Sequence, residues 1–305
     1  MSQQDPTAPL DSPGALREGL ESVGYLADEG LSVVAFLALR LRRPLFLEGE
    51  PGAGKTELAR ALAALTGGPL VRLQCYEGID VAQAVYEWDY SRQLLHLRAT
   101  EVLAGAAATS GIEDELFSER FLVRRPLLRA LSAPEGAPRP VLLIDEIDRA
   151  DDEFEAYLLE ILADYAVTVP ELGTITAVVA PIVVLTSNRT RDVHDALKRR
   201  SLYHWVEHPD FEREVRIVAL KAPAVEAALV RQVTAAVQEM RGLSLYKPPG
   251  VAETIDWAEA LAALGEQTLG EEALRATLGI VLKYREDAER VGAVVPEIVA
   301  RVATL

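Results

Sequence analysis

Residues 49–56 read Gly49-Glu50-Pro51-Gly52-Ala53-Gly54-Lys55-Thr56 and match G-x-x-x-x-G-K-[ST] at every fixed position. The apolar run Pro44-Leu45-Phe46-Leu47 precedes them and reads as a buried strand. Glu57-Leu58-Ala59-Arg60-Ala61-Leu62-Ala63-Ala64-Leu65 follows with helical spacing and strong helix formers. Strand, glycine loop and helix in that order describe a phosphate-binding loop. Without a Cβ in the way, the backbone can curl so that successive N–H groups point inward at a helix N-terminus, where negative charge is favoured. Lys55 then adds positive charge near the β- and γ-phosphates, and the Thr56 hydroxyl is expected to ligate Mg2+. Glu50, Pro51, Gly52, Ala53, Gly54 and Glu57 complete the expected nucleotide-binding set.

The chain is long enough, at 305 residues and half hydrophobic, for a sizeable core and two domains. No apolar run reaches the length that spans a bilayer, and Met1 to Pro13 carry neither a basic start nor an apolar signal core. The expectation is a cytoplasmic protein without membrane insertion. Cys75 is the single cysteine, which excludes an intramolecular disulfide and a thiolate-rich metal cluster. A net charge of −16 has the wrong sign for gripping nucleic-acid phosphates, so the expected partner is a protein.

Beyond the loop, Leu70–Cys75, Val141–Ile144 and Ile182–Ser187 read as further buried strands alternating with helices, among them Leu31 to Arg43 and about Asp152 to Asp164. That alternation argues for an α/β fold, a parallel sheet covered by helices. From Phe211 onward the pattern is helical throughout, at about 211–220, 224–241, 252–264, 271–288 and 296–303. The expected organisation is a flexible tail over 1–20, an α/β nucleotide-binding domain over 21–208 and a small helical lid over 209–305. Two hairpins are expected, around 86–98 and around 166–179, with an alanine-rich helix near 100–109.

Asp145 and Glu146 end the Val141–Ile144 strand. An acid there can hold the Mg2+ that Thr56 also ligates, and an adjacent one can orient a water for attack on the γ-phosphate. Asp145 is therefore assigned to the metal and Glu146 to the base. Thr186-Ser187-Asn188 ends the next strand, where the Asn188 amide can reach the γ-phosphate or the attacking water. His204 and His208 are four apart but flank a strand, so they are read as structural, as is Cys75.

This combination resembles the AAA+ ATPases. Within them, Gly49 to Ala59, Leu142-Leu143-Ile144-Asp145-Glu146-Ile147-Asp148-Arg149-Ala150 and Thr186-Ser187-Asn188-Arg189 look like MoxR segments. Leu73-Gln74-Cys75-Tyr76-Glu77-Gly78-Ile79-Asp80 with Tyr86-Glu87-Trp88-Asp89-Tyr90 looks like the CoxD branch. The resemblance covers about residues 22–290. It implies a P-loop AAA+ domain followed by a helical lid, assembled as a ring, usually a hexamer, with ATP and Mg2+ at subunit junctions. It also implies a finger from the neighbour's Arg199 or Arg200, a lesser junction role for Arg149, and an adenine pocket walled by Tyr25, Leu26 and Ala27. The function it implies is ATP-driven remodelling of a metalloenzyme client, such as a molybdenum hydroxylase of the CO dehydrogenase type, with a von Willebrand factor A (VWA) domain protein as adapter. A nucleic-acid motor or loader and a scaffold with little turnover are the competing readings. In one place the chain departs from the family: the sensor arginine expected at the start of a lid helix falls on Ala252. Lys247, Arg275 and Lys283 are the candidate replacements.

Overall fold

The apolar run that precedes the glycine loop forms an inner strand of one sheet. The computed structural model describes residues 10–104 and 115–303. In it β1 (Leu45–Gly49), β2 (Leu70–Gln74), β5 (Val141–Asp145), β8 (Ile182–Ser187) and β9 (Leu202–Val206) take the order β2-β5-β8-β1-β9. β1 and β5 each pair parallel with β8, and β2 pairs parallel with β5. β1, β5 and β8 are buried at every position, as expected of parallel strands covered on both faces. The register sets Gln74 beside Asp145 and Leu47 beside Thr186. Polar residues therefore line up where the strands end.

The described chain divides into two units. One holds the sheet, with Glu29–Glu48 and Ala59–His204. Its core joins Phe46, Leu73, Leu142, Ile144 and Leu185 to Leu127 and Leu128 of a short helix, α6 (Pro126–Leu131), and to Phe154, Leu158 and Ile161 of α7 (Asp152–Asp164). Asp151 starts α7 by accepting the Phe154 N–H at 2.8 Å, a side-chain N-cap.

The other unit contains Arg17–Asp28, Gly49–Leu58 and the chain from Trp205 onward. Its helices are α9 (Phe211–Lys221), α10 (Ala227–Arg241), α11 (Val251–Ala263), α12 (Glu271–Val281) and α13 (Arg285–Val302). They close on Val218, Val233, Trp257, Leu261, Leu274 and Val291, and the Trp257 indole donates to Thr277 Oγ1 at 2.7 Å. No helix among the described residues is long and apolar enough to cross a membrane.

Three expectations are corrected. The tail expected over 1–20 is helical from Pro13: α1 (Pro13–Ser22) begins on Pro13, Ser12 Oγ accepts the Ala15 N–H at 3.1 Å, and Leu16 and Leu20, one turn apart, are fully buried. The hairpin expected at 86–98 is a short strand, β3 (Tyr86–Trp88), followed by helix α5 (Tyr90–Ala104). Asp89 is the reason, since its Oδ1 accepts the Arg92 N–H at 2.9 Å and opens a helix there. β3 pairs instead with the distant β4 (Leu122–Arg124), while part of the helix expected at 100–109 lies outside the described residues.

The third correction concerns the last helices. The chain breaks after Val281, not at 288, and α13 runs through Pro296. A proline in a helix removes one N–H and leaves the carbonyl four residues earlier without its partner. Here that carbonyl is Gly292's, and Arg275 Nη1 donates to it at 2.9 Å. The expected hairpin near 166–179 is present as β6 (Ala166–Val169) and β7 (Gly173–Thr176).

Candidate nucleotide-binding site

The glycine loop leaves the end of β1 and enters α3 (Lys55–Thr66). Gly52 and Gly54 both have positive φ, 79° and 89°, where a side chain is strained. Gly52 is constrained a second way. A Cβ on it would lie 2.8 Å from the Gly250 Cα, and one on Gly250 would lie 2.7 Å from the Gly52 Cα. Two glycines thus let the loop and the start of α11 touch backbone to backbone. Val251 N–H, one of the donors a helix start leaves open, is satisfied by the Gly52 carbonyl at 3.2 Å. Lys55 is buried and its Nζ donates to the carbonyls of Gly49 (2.7 Å) and Glu50 (2.8 Å), bracing the loop from inside. Glu57, on the first turn of α3, pairs with Lys221 at 2.8 Å.

In the sheet unit, Asp145 ends β5 with only 3% of its surface exposed. Its Oδ1 accepts the Thr186 hydroxyl at 2.5 Å, and the Thr186 oxygen in turn accepts the Glu146 N–H at 3.0 Å. Glu146 sits in the left-handed region, φ 55°, an unusual conformation for a residue with a side chain and one that such hydrogen bonds must hold. Its carboxylate meets Arg149 Nε at 2.9 Å and lies 3.4 Å from the Asn188 amide nitrogen. Asp145, Glu146 and Asn188 therefore form one cluster. Buried Asp148 pins the turn after Asn188 through the Thr190 N–H (2.8 Å) and hydroxyl (2.7 Å). Burial, and then the nearby Asp145, Asp148 and Glu146, push the Cys75 thiol up to about 12, so Cys75 is inert at neutral pH.

The two arginines at the end of α8 (Asp195–Arg200) differ in their ties. Arg200 Nη1 donates to the Leu159 carbonyl at 2.8 Å. The Arg199 side chain is 82% exposed and lies 3.9 Å from Asp195. Arg43 secures the end of this helix by donating to the Arg199 carbonyl at 2.7 Å and the Arg200 carbonyl at 3.1 Å, oxygens that the helix itself leaves open. Buried Glu155 secures its start by accepting the His194 N–H at 2.7 Å and pairing with Arg191. Glu48, also buried, pairs with Arg189 (3.4 Å) and Lys198 (3.6 Å).

Ala252 is the second residue of α11. Of its candidate replacements, the Arg275 side chain bonds Glu271 and the Gly292 carbonyl, and the Lys283 ammonium bonds the Ile280 carbonyl at 2.6 Å. Lys247 is tied through its backbone N–H to Asp287 at 3.0 Å. Close to the loop by charge stands a pair the sequence did not advertise. Arg241 grips fully buried Glu214 with bonds of 2.6 and 2.8 Å and reaches the Pro249 carbonyl at 2.7 Å, next to Gly250. Thr254 and Gln238 complete that carboxylate's shell at 2.8 and 3.2 Å. His208 Nδ1 is buried with no hydrogen-bond partner among the described residues; burial, reinforced by Arg241, lowers its pKa. Tyr25 is buried, and Arg213 fixes the segment after it through the Leu26 carbonyl (2.7 Å) and Asp28 (3.1 Å).

Glu48, Glu214, Arg241, Thr186 and Asp148 were not found from the sequence. Each is a charged or polar residue inside a helix or strand, marked only by its burial or, for Arg241, by its pairing with buried Glu214. Arg72 was missed as well: it is a half-exposed charge on β2, and what marks it is the pairing of its guanidinium with buried Asp145.

The AAA domain (dynein-related subfamily) matches residues 44–201, just over half of the chain. Midasin of Giardia intestinalis is 47% identical over 45 residues, 15% of this chain and 1% of that protein, so the chain spans about one-hundredth of that relative. Among solved structures, a mutant of Thermotoga maritima RuvB is similar with a TM-score of 0.47 and 15% identity, covering 89% of this chain and 72% of that one. The Thermotoga maritima RuvB Holliday junction branch migration motor gives a TM-score of 0.46 and 15% identity, covering 87% and 69%. With the glycine loop, the parallel sheet and the helical C-terminal region in place, the chain belongs to the AAA domain family, dynein-related subfamily.

Proposed function

We propose that the chain binds and hydrolyses ATP with Mg2+, and that it uses the cycle to remodel a protein client as a MoxR-type ATPase of the CoxD-like branch. The observation that carries the catalytic part is the cluster of Asp145, Glu146 and Asn188, with Glu146 held at φ 55°. In this reading Gly49–Thr56 holds the phosphates, Thr56 and Asp145 ligate the metal, and Glu146 takes a proton from the attacking water while Asn188 orients it. Mg2+, when bound, neutralises the charge that develops on the γ-phosphate.

Among the described residues no group of three or more His, Cys, Asp or Glu could hold a metal. A single carboxylate and a hydroxyl suit Mg2+, which takes its other ligands from phosphate and water. The remaining parts rest on the sequence resemblance. They are a ring of like subunits, probed in trans by Arg199, a VWA-domain adapter and a metalloenzyme client, in the cytoplasm. The acidic balance, net −16, supports a protein client over nucleic acid.

The test is Glu146→Gln, which keeps the side chain's shape and removes the base. It should bind ATP, fail to turn it over and retain its client during purification from native cells. Hydrolysis at the normal rate sinks the assignment of Glu146. Recovery of nucleic acid and no protein client sinks the remodelling role.

A further inference from the structure

Asp145 has a partner that the proposed reaction does not use. Arg72, on β2, reaches across to β5, where its Nε and Nη2 donate to Asp145 Oδ2 at 3.0 and 2.6 Å. The same Nη2 donates to Gln74. With Thr186 on Oδ1, both carboxylate oxygens are engaged, one of them by a full positive charge. The pair is lopsided: the Asp145 side chain is 4% exposed and fixed, while the Arg72 side chain is 49% exposed and has water to retreat into.

A buried carboxylate built against a cation is suited to a divalent ion, so the residues fit Mg2+. A guanidinium and a divalent ion nevertheless repel each other, and they compete for the same oxygen. We propose that Arg72 is a positioning residue that holds Asp145 while no metal is bound and yields Oδ2 when a divalent cation arrives with nucleotide. Arg72 thereby sets the Mg2+ concentration at which the site loads. It also keeps a buried carboxylate from standing uncompensated between turnovers, which is costly. This role rests on the ATP-binding reading above.

Arg72→Met tests it. The full-length protein is titrated with Mg2+ at a fixed, subsaturating concentration of a fluorescent ATP analogue, with binding as the readout. The half-saturating Mg2+ should fall roughly fivefold, about the worth of one part-exposed ion pair. The metal-free variant should also melt earlier than the wild type and regain the difference with Mg2+ and ADP. Arg72→Lys, which keeps the charge without the fork, should fall between the two and serves if the Met variant does not fold. An unchanged Mg2+ requirement overturns the proposal. So does a raised one, because Arg72 would then orient Asp145 for the metal and not compete with it. If the wild type binds no analogue at any Mg2+ concentration, the ATP reading fails and the role of Arg72 with it.

Discussion

Replacing Arg241 by Met should destabilise the helical unit by about 3–5 kcal/mol, the cost of removing one partner from a buried ion pair. The size follows from what is left behind. Arg241 supplies two bonds to Glu214, at 2.6 and 2.8 Å, and its side chain is 12% exposed against 0% for Glu214. Without it the Glu214 carboxylate keeps Thr254 and Gln238 but loses its ion-pair partner. The Pro249 carbonyl loses its donor as well, one residue before the glycine that meets the phosphate loop. Met fills the volume of the stem, so the loss is electrostatic and not a cavity. Urea unfolding followed by tryptophan emission measures it, because fully buried Trp257 reports on this unit's core. Adding Glu214→Gln should recover a large part of the loss, since an amide still accepts from Thr254 and carries no charge to strand. A cost for Arg241→Met below about 1 kcal/mol, or strictly additive effects in the pair, would refute the argument that burial makes this contact decisive.

Two further outcomes follow from the geometry. Arg199→Ala should change stability by no more than about 0.5 kcal/mol, as for an exposed surface residue, yet lower ATP turnover by about 10^3- to 10^5-fold if Arg199 is the finger. Arg200→Ala should cost its bond to Leu159 and leave most of the turnover; steady-state ATPase assays with the opposite ranking would reassign the finger. Stability should depend on pH through His208. Its folded pKa lies below the unfolded value of about 6.5 because burial, helped by Arg241, disfavours the charged ring. Its contribution is therefore fully present above about pH 6.5 and lost as the pH falls from there through the lowered folded value. Unfolding midpoints measured across this range should lose that slope in His208→Gln, and an identical slope in the variant would refute the assignment.

Local pattern carried far in this chain. The glycine loop, the four strand runs and the acids that end one of them are each specified by neighbours within about ten residues, so order and type could be read directly. Reading failed where a local signal was outvoted by one residue or by a distant one. Asp89 turned an alternating run into helix α5, and Arg275 made Pro296 tolerable within α13. The paired polar residues escaped for a different reason. Glu214, Arg241 and Arg72 look like ordinary surface charges in helical or strand patterns, because a sequence does not show which of its charges are paired.

By itself the sequence determined a glycine loop of the phosphate-binding pattern within an α/β fold, and it named the acids at the strand end, since glycine, lysine and carboxylate patterns depend on residue type and spacing. Only the tertiary structure decided how those groups are held. The strand register gave Asp145 its neighbours Thr186 and Arg72, and the left-handed turn fixed Glu146. Helix packing freed Arg199 while tying down Arg200. The contact of Gly52 with Gly250 joined residues almost two hundred positions apart, and its closeness depends on two missing side chains whose meeting no local pattern records.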